Sequence, residues 1–367
     1  MAITISGSGI TSANIADGTI TTDDILASDV KSLKSGRKNL LINGGFDVWQ
    51  RGTSFTGGDA YVADRWSNQV SGASVNITQQ SFTLGQTDVP NNPKYYLKWE
   101  VTAGNDNSRI TQKIENVSTL TGETVTLSYW AKHSSGTLPT GIKSSLRQEF
   151  GSGGSPSSTV YVPSGNISLS SSWQKFTHTF TLPSVSGKTL GTAGNDYLGV
   201  ALGWQVGTET SAYTIDIAQV QLELGSVATD FEHRSYGEEL ALCQRYYWKL
   251  QSEGTAYTYL TLGGNFVSGS HFITSISFPT EMRIAPTGSH NLQTLSISTA
   301  TGAGNINFYF QNQGQHTAAG TGTFNNYNLA TFRTYANGGA YYISPASISS
   351  THLRFGSNGY IQFDAEL

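Results

Sequence analysis

Short segments in which apolar and polar residues alternate, separated by turn-forming residues, constrain the fold of this chain more than any other feature. In residues 94–103, Leu97, Trp99 and Val101 fall on one face of an extended strand, while Lys98 and Glu100 fall on the other. Similar segments follow at 123–132, 173–182, 197–206 and 212–224. Short strands with turn residues between them, and without a helical period, predict an antiparallel β-sandwich.

Composition narrows the classes of protein that fit. Charged residues make up only 13% of the 367 residues, and the formal net charge is −4, so we expect no binding of nucleic acid. The chain contains no apolar run of about 20 residues, and therefore no predicted membrane span. Its single cysteine, Cys243, excludes an internal disulfide and a cysteine-cluster zinc site.

The distribution of aromatic residues predicts the domain organisation. Six of the seven tryptophans lie between Trp49 and Trp204, and the seventh, Trp248, lies at a junction. We predict an all-β chain with a stem arm (1–37), a jelly-roll β-sandwich (38–233), a short helical neck (234–250) and a C-terminal β-sandwich domain (251–367).

β-Branched aliphatic residues recur every five positions in the arm. A period of five fits neither a helix nor a strand, and one apolar side chain in five buries little surface in an isolated segment. The arm is therefore either a narrow stem packed against copies of itself or a partner, or a disordered leader. The residues concerned are Ile5, Ile10, Ile15, Ile20, Ile25 and Val30.

One segment, residues 236–250, has a helical pattern. Leu240, Cys243 and Tyr247 recur at spacings of three and four, with acidic residues at the start and basic residues near the end. These three side chains form a stripe that suits either a contact between subunits or packing on the jelly roll. We expect Cys243 to be a packing residue rather than a nucleophile.

Two sequence motifs bracket the predicted sandwich and carry a resemblance to known proteins. NLLINGGFDVWQRGTSF (39–55) and YVADRW (61–66) resemble the N-terminal strand of carbohydrate-binding-module-like jelly rolls found in bacteriophage tail fibres. Residues 215–247 are similar to the last strand and exit of that family. ITSANIADGTITTDDI (10–25) resembles fibre-stem repeats, and HLRFGSNGYIQFDAEL (352–367) resembles terminal fibre domains.

The resemblance implies a homotrimeric virion fibre made in the host cytoplasm. It would attach to another virion protein, on tail or capsid, through residues 1–37, and it would recognise polysaccharide on a host surface. The absence of a basic start and apolar block agrees with a protein that carries no secretion signal.

The resemblance also implies a structural Ca²⁺ ion between the first and last strands of the jelly roll. Its oxygen ligands would be Asp47, beside the first strand, with Asp216 or Glu223 on the last. The alternative is that Asp216 and Glu223 are solvated or cap neighbouring backbone groups. No other cofactor is expected.

Sugar binding needs aromatic faces together with amide or acid side chains. Trp66, Trp99, Trp130 and Trp204 lie in alternating strands, where core packing is the expected role. Loop aromatics fit a glycan site better, although they could equally form a trimer interface or fold the loop on itself. The candidates are Phe324, Asn325, Asn326, Tyr327, Tyr335 and Tyr341.

No motif for catalysis is present. The seven histidines are scattered singly, and there is no GxSxG, HExxH or phosphate-binding loop with its lysine. We therefore expect a non-enzymatic fibre that binds host glycans. The alternatives are a capsid-mounted head fibre or decoration protein with a mainly structural role, and an accessory module of a polysaccharide-degrading enzyme.

Overall fold

The fold is known from a computed structural model. The residues that it describes are 37–70, 73–104, 108–139, 141–204, 211–251, 258–260, 264–268, 271–284, 286–291, 306–312, 315–322, 334–335, 338–343, 353–355 and 360–367.

Twelve strands build the first β region. They are β1 (Ser54–Gly57), β2 (Ala60–Tyr61), β3 (Trp66–Gln69), β4 (Ala73–Ser81), β5 (Tyr95–Gly104), β6 (Arg109–Glu115), β7 (Thr124–Gly136), β8 (Lys143–Glu149), β9 (Val160–Pro163), β10 (Gln174–Thr181), β11 (Tyr197–Trp204) and β12 (Tyr213–Leu224).

These strands form two antiparallel sheets of six strands each. The first sheet has the order β1-β4-β5-β12-β7-β10, and the second has the order β2-β3-β6-β11-β8-β9. Apolar side chains of both sheets share one core, in which Trp66 of the second sheet and Trp99 of the first are fully buried. The predicted all-β class and jelly-roll β-sandwich are therefore confirmed.

Period-two alternation selects the core residues in this sandwich. Leu97, Trp99 and Val101 of β5 are buried, as predicted, and so are Leu127 and its inward neighbours Val125 and Tyr129 in β7. On β10 the inward series is Phe176, His178 and Phe180. The pairing of β10 with β7 runs without a register shift.

The two motifs that bracket the sandwich pack against each other. The amide of Leu40 donates to the carbonyl of Leu222 at 2.9 Å, and the Val220 amide donates to the carbonyl of Gly44 at 2.9 Å. Gly44 is required there, because a Cβ atom would overlap the carbonyl oxygen of Val220. The backbone amide of Asn39 donates to the carboxylate of Glu232 at 2.8 Å. Residues far apart in sequence thus close the sandwich at one end.

Asn43 organises the turn between these contacts. Its side-chain amide donates to the carbonyls of Val48 (2.8 Å) and Asp64 (3.0 Å), and its side-chain oxygen accepts from the Val48 amide. Phe46 has a φ of 58° and is fully buried, 5.4 Å from the ring of Trp66. The NGGF sequence is therefore a structural turn that inserts an aromatic ring into the core.

The helix α1 is shorter than predicted. It spans Tyr236–Gln244 and begins at the N-cap Ser235, whose side chain accepts from the Glu238 amide. The prediction of a helix to residue 250 is wrong, because Tyr247–Gln251 forms strand β13. Aromatic residues favour strands, and pairing with a distant strand outweighs the local helical pattern here.

The remaining strands belong to the C-terminal region. They are β14 (Thr258–Leu260), β15 (Gly264–Ser268), β16 (His271–Ser277), β17 (Thr287–Asn291), β18 (Ile306–Asn312), β19 (Gln315–Gly322), β20 (Thr334–Tyr335), β21 (Gly338–Ile343), β22 (Leu353–Phe355) and β23 (Tyr360–Asp364). They pair antiparallel throughout, and β23 lies between β13 and β17. The predicted boundary at residue 251 stays a prediction.

None of the helices described is long and apolar enough to cross a membrane. Residues 1–36 lie outside the described part of the chain, so the predicted stem and its residues Ile10, Ile15, Ile20, Ile25 and Val30 stay predictions.

Candidate functional site

The outer face of the second sheet carries an ordered arrangement of charged and small side chains. On β6, Ile110 points into the core, and so does Leu146 on β8. Successive side chains of a strand point to opposite faces, so Arg109, Thr111 and Lys113 point outwards. By the same alternation Lys143, Ser145 and Arg147 point outwards from β8.

Strand pairing aligns the small residues of this face in a strip across the sheet. Ala201 of β11 lies opposite Ser145 on one side and Thr111 on the other. Thr111 in turn lies opposite Ser67, and their hydroxyl oxygens are 2.8 Å apart. The exposed fractions of Ser67, Thr111, Ser145 and Ala201 are 7%, 3%, 3% and 4%, so longer neighbours shelter the strip.

Four cationic side chains surround this strip. Lys113 and Arg147 lie two residues beyond it on β6 and β8, and Arg109 and Lys143 lie two residues before it on the same two strands. Because β11 lies between these strands, the lateral separation of the two pairs is about 10 Å. We call the four cations and the strip that they enclose the basic face.

Aromatic rings border the basic face on the side of Arg147. The ring centre of Tyr197 lies 4.9 Å from the ammonium of Lys113 and 5.2 Å from the guanidinium of Arg147. Tyr161, on the edge strand β9, lies opposite Arg147 and is 50% exposed. An exposed ring beside a guanidinium is a surface on which a sugar ring can stack.

Gly199 allows the side chain of Arg147 to pack against Tyr197. It lies between Arg147 and Lys113 in the register of the sheet. A Cβ atom at Gly199 would lie 2.8 Å from Cγ of Arg147, so only glycine lets the Arg147 side chain cross β11 and donate to the hydroxyl of Tyr197.

The cations crowd one another electrostatically. Burial lowers the pKa of Arg109 from its usual value, and the positive charge of Arg147 lowers it further. The pKa of Lys113 is lowered by the same two causes. An anion placed between these groups would relieve the repulsion.

Among the described residues, few carboxylates compensate the basic face. Glu149 lies 3.7 Å from Arg147 and also accepts a hydrogen bond from Thr159 at 2.7 Å. Asp59 accepts from the amide of Val70 at 2.6 Å and influences Arg109. Glu115, at the end of β6, is ion-paired with Arg245 at 3.2 Å.

Residues of the C-terminal segment bind beside the basic face. Glu366 forms ion pairs with Arg51 and with Arg65, both of which are nearly fully buried. The carbonyl of Leu367 accepts hydrogen bonds from the hydroxyl of Tyr61 at 3.0 Å and from the ammonium of Lys113. We call the pairing of Glu366 with Arg51 and Arg65 the clasp.

Asp216 and Glu223, the alternative calcium ligands on the last strand, do not belong to one site. Asp216 and Glu223 lie on the same strand, seven residues and therefore about 20 Å apart. Glu223 accepts from the backbone amide of Thr229 at 2.8 Å, which is the predicted alternative role of a cap. Asp216 lies 3.5 Å from the ammonium of Lys132.

Asp47, the third of these candidates, lies near another carboxylate. Burial, followed by the charge of Glu239, raises its pKa to about 6. In the described part of the chain, no three His, Cys, Asp or Glu residues come together as a metal site. The prediction that Asp47 and either Asp216 or Glu223 share a Ca²⁺ ion stays a prediction.

An aromatic cluster covers Asp216 on the outer face of the first sheet. Ring centres of Tyr96 and Trp173 lie 5.4 Å apart, and Phe82 lies 4.9 Å from Tyr96. The three rings pack against each other and are all half-buried, so they cover part of the sheet. Asp216 is consequently buried, and one of its carboxylate oxygens has no hydrogen-bond partner.

The other predicted site residues have different positions. Trp66 and Trp99 are core residues, whereas Trp130 is half-buried. Phe324, Asn325, Asn326 and Tyr327 lie outside the described residues, as do the side chains of Tyr335, Tyr341 and Trp204. The predicted glycan loop therefore stays a prediction.

The three residues predicted to form a helical stripe are largely covered by the rest of the chain. Cys243 and Tyr247 are buried, and Leu240 is half-buried. Burial raises the pKa of the Cys243 thiol, in agreement with its predicted packing role. Tyr247 lies in β13 and not on the helix, so the three residues do not form a helical stripe. The guanidinium of Arg51 lies 3.6 Å from the centre of its ring.

Sequence analysis missed the basic face, although a pattern was present. In both RITQKIE (109–115) and KSSLRQE (143–149), basic residues lie four positions apart with a small hydroxyl residue midway between them. That pattern identifies two similar outward faces. It does not reveal that β11 places these faces on either side of Ala201.

Comparisons with known proteins gave structural likenesses only. No protein-family model and no curated protein matches the chain. The enzymatically active domain of tailspike protein 4 of bacteriophage CBA120 is 13% identical, with a TM-score of 0.29, over 51% of this chain and 21% of that one. The match therefore spans about a fifth of the tailspike domain.

Two carbohydrate-binding modules are also similar. The CBM22-1 xylan-binding domain of Paenibacillus barcinonensis Xyn10C is 13% identical, with a TM-score of 0.31, over 52% of this chain and 96% of that domain. A CBM4 module is 22% identical, with a TM-score of 0.25, over 35% of this chain and 84% of that module. All three TM-scores are below 0.5, so no function follows from these likenesses. The chain is thus characterised by its fold, an all-β protein with a jelly-roll body.

Proposed function

We propose that this chain is a non-enzymatic virion fibre that binds glycans of a host cell surface. The basic face is the observation that carries the proposal: a sheltered strip of Ser67, Thr111, Ser145 and Ala201, enclosed by hydrogen-bond donors and bordered by Tyr161. A polysaccharide is an extended chain of hydroxyl-rich rings, and it can lie along such a strip across the strands.

The chemistry of the basic face favours binding over turnover. Glycoside hydrolysis needs two carboxylates placed on either side of the scissile bond. Glu149 is the carboxylate beside Arg147, and it is already held by Arg147 and Thr159. We therefore propose that the protein acts by adhesion, and that three copies in a homotrimer strengthen weak single-site binding through avidity.

The virion setting of this proposal rests on the sequence resemblance at residues 10–25, 39–66 and 215–247. In this setting residues 1–37 attach the fibre to another virion protein. Deleting residues 1–37 should leave a folded protein that no longer enters particles, and normal incorporation of the shortened chain would contradict the attachment role. Antibody labelling of intact particles then distinguishes a tail fibre from a fibre on the capsid.

Competition for host adsorption tests the binding role. Purified protein should block adsorption of the virus, and Tyr161→Ala should weaken this block at least about threefold through loss of a stacking surface. Tyr236→Ala is the matched control, because Tyr236 is a similarly exposed tyrosine on α1, outside the basic face. Adsorption that is unaffected by saturating wild-type protein would refute the proposal.

A further inference from the structure

We infer that the glycan bound at the basic face is an acidic polysaccharide, whose carboxylate, phosphate or sulfate groups meet Arg109, Lys113, Lys143 and Arg147. The inference rests on the proposed function and specifies the class of its ligand.

The first argument for an acidic ligand is the balance of charge on this face. Four cations surround the strip, and the carboxylates that act on them are those of Glu149, Asp59 and, for Lys113, Glu366. Glu115 and Glu366 lie nearby, but Glu115 pairs with Arg245, and Glu366 pairs with Arg51 and Arg65. Positive charge is therefore in excess on this face of a chain whose net charge is −4.

The second argument is the environment of these cations, which favours a charged ligand over a neutral one. Arg109 and Lys113 are half-buried, and Arg147 destabilises their charged forms. A bound anion would interact with several of the cations at once, in surroundings that screen charge less than water does. A neutral sugar would leave the repulsion among them in place.

The third argument is the arrangement of the hydrogen-bond donors. Arg147 is supported by Tyr197 and Glu149 and is only 11% exposed, so its guanidinium is held in position. A guanidinium matches the geometry of a carboxylate or a phosphate through paired N–H donors. The strands that carry Lys113 and Arg147 are about 10 Å apart. Both charged groups lie within 5.2 Å of the Tyr197 ring centre, so one acidic group, or two neighbouring ones on a polymer, can interact with both.

The strip between the cations admits the polymer. Its side chains are small, so a chain that displaces the long side chain of Lys143 can approach the sheet closely, while Arg109 is held by a hydrogen bond to the side-chain oxygen of Gln69 at 2.8 Å. The hydroxyls of Ser145 and Thr111 then lie at the level of the sugar hydroxyls. Pro163 is opposite Ser145 at the end of the strip, and the exposed ring of Tyr161 lies beside Arg147.

Binding measurements on the full chain test the inference. Calorimetry would compare oligogalacturonate, oligosialate and chondroitin sulfate oligomers with methyl-esterified oligogalacturonate, which has the same backbone as the first without its charge. We expect binding of at least one acidic oligomer to weaken steadily with added salt, and methyl esterification to abolish binding of a galacturonate ligand.

Variants then locate the site. Arg109→Gln and Lys143→Gln should each weaken binding of the acidic oligomer about tenfold, as expected for loss of one charge-assisted hydrogen bond. Lys175→Gln, on the outer face of the first sheet, is the matched control and should bind as the wild type does. Unchanged thermal melting of the variants would show that the sandwich is intact. The salt dependence of binding is measured on the wild-type protein, so it tests the inference even if a variant fails to fold.

The outcomes separate the inference from the proposed function. Binding of neutral oligomers alone, indifferent to salt, would overturn the acidic class and leave glycan binding in place. Equal binding of duplex DNA and of every acidic oligomer would also overturn it, because the face would then bind anions without regard to sugar. Failure of every oligomer, acidic or neutral, would refute glycan binding itself.

Discussion

Arg65 and Glu366 form an ion pair that joins the start of the jelly-roll body to the C-terminal segment. The two residues are 301 positions apart, and both side chains are almost fully buried. The guanidinium of Arg65 also lies 3.4 Å from the ring centre of Tyr246, just beyond α1. Arg51 also binds Glu366, at 3.4 Å, and shares its charge with Asp364 at 3.0 Å and Asp64 at 3.8 Å.

Neutralising Glu366 should therefore destabilise the protein strongly. Glu366→Gln leaves Arg51 and Arg65 buried with less compensation, and we expect a loss of about 3–5 kcal/mol in the free energy of unfolding, measured by chemical denaturation. Glu238→Gln is the control. Glu238 pairs with Arg37, the two side chains are 44% and 42% exposed respectively, and so exposed an ion pair should contribute less than about 1 kcal/mol. Equal effects of the two variants would contradict the structural role of the clasp.

Asp47 should make stability depend on pH. Its pKa is raised from 3.8 to about 6 in the folded protein, by burial and then by Glu239. The folded state thus binds the proton more tightly, so stability falls as the pH rises between about 4 and 6 and stays reduced above that window. Asp47→Asn should gain about 1–3 kcal/mol at pH 8 and nothing below about pH 4, in thermal melts across this range.

The control for this experiment is Asp88→Asn, at an exposed position. It should not reproduce the profile of Asp47→Asn. A gain for Asp47→Asn that is the same at every pH would show that the amide acts through packing and not through loss of the charge.

Gly44→Ala should disrupt the contact between the two ends of the sandwich. The new Cβ atom would overlap the carbonyl of Val220, so the paired backbone must shift, at a cost of about 2 kcal/mol or more in the free energy of unfolding. Gly165→Ala is the comparison, because no atom lies within 4 Å of a Cβ placed there. Equal melting temperatures for these two variants would show that the ends of the sandwich do not need a close approach at Gly44.

Removal of divalent cations should leave the melting temperature unchanged. Asp216 interacts with Lys132, and Glu223 accepts from the Thr229 amide, so neither carboxylate needs an ion to compensate it. The measurement is a thermal melt with and without EDTA, followed by added Ca²⁺. A lower midpoint with EDTA that Ca²⁺ restores would contradict this expectation and support the predicted Ca²⁺ ion.

The alternation of side chains predicted the fold class and much of the core. The inward positions of β5 and β7 follow from period two, which depends on local backbone geometry and can be counted along the chain. The resemblance at residues 39–55 and 215–247 located the two ends of the sandwich, and the structure shows those ends in contact. Local periodicity was misleading at Tyr247, where pairing of β13 with β23 replaces the helical pattern.

Only the tertiary structure decided where the candidate site lies. Period two states which face of a strand Lys113 or Arg147 occupies, but it does not state which strands become neighbours. Pairing of β11 with both β6 and β8 is non-local, and it alone brings these cations together around Ala201. The clasp between Arg65 and Glu366 depends in the same way on contacts between distant segments, since buried charges are stable only where the fold supplies a partner.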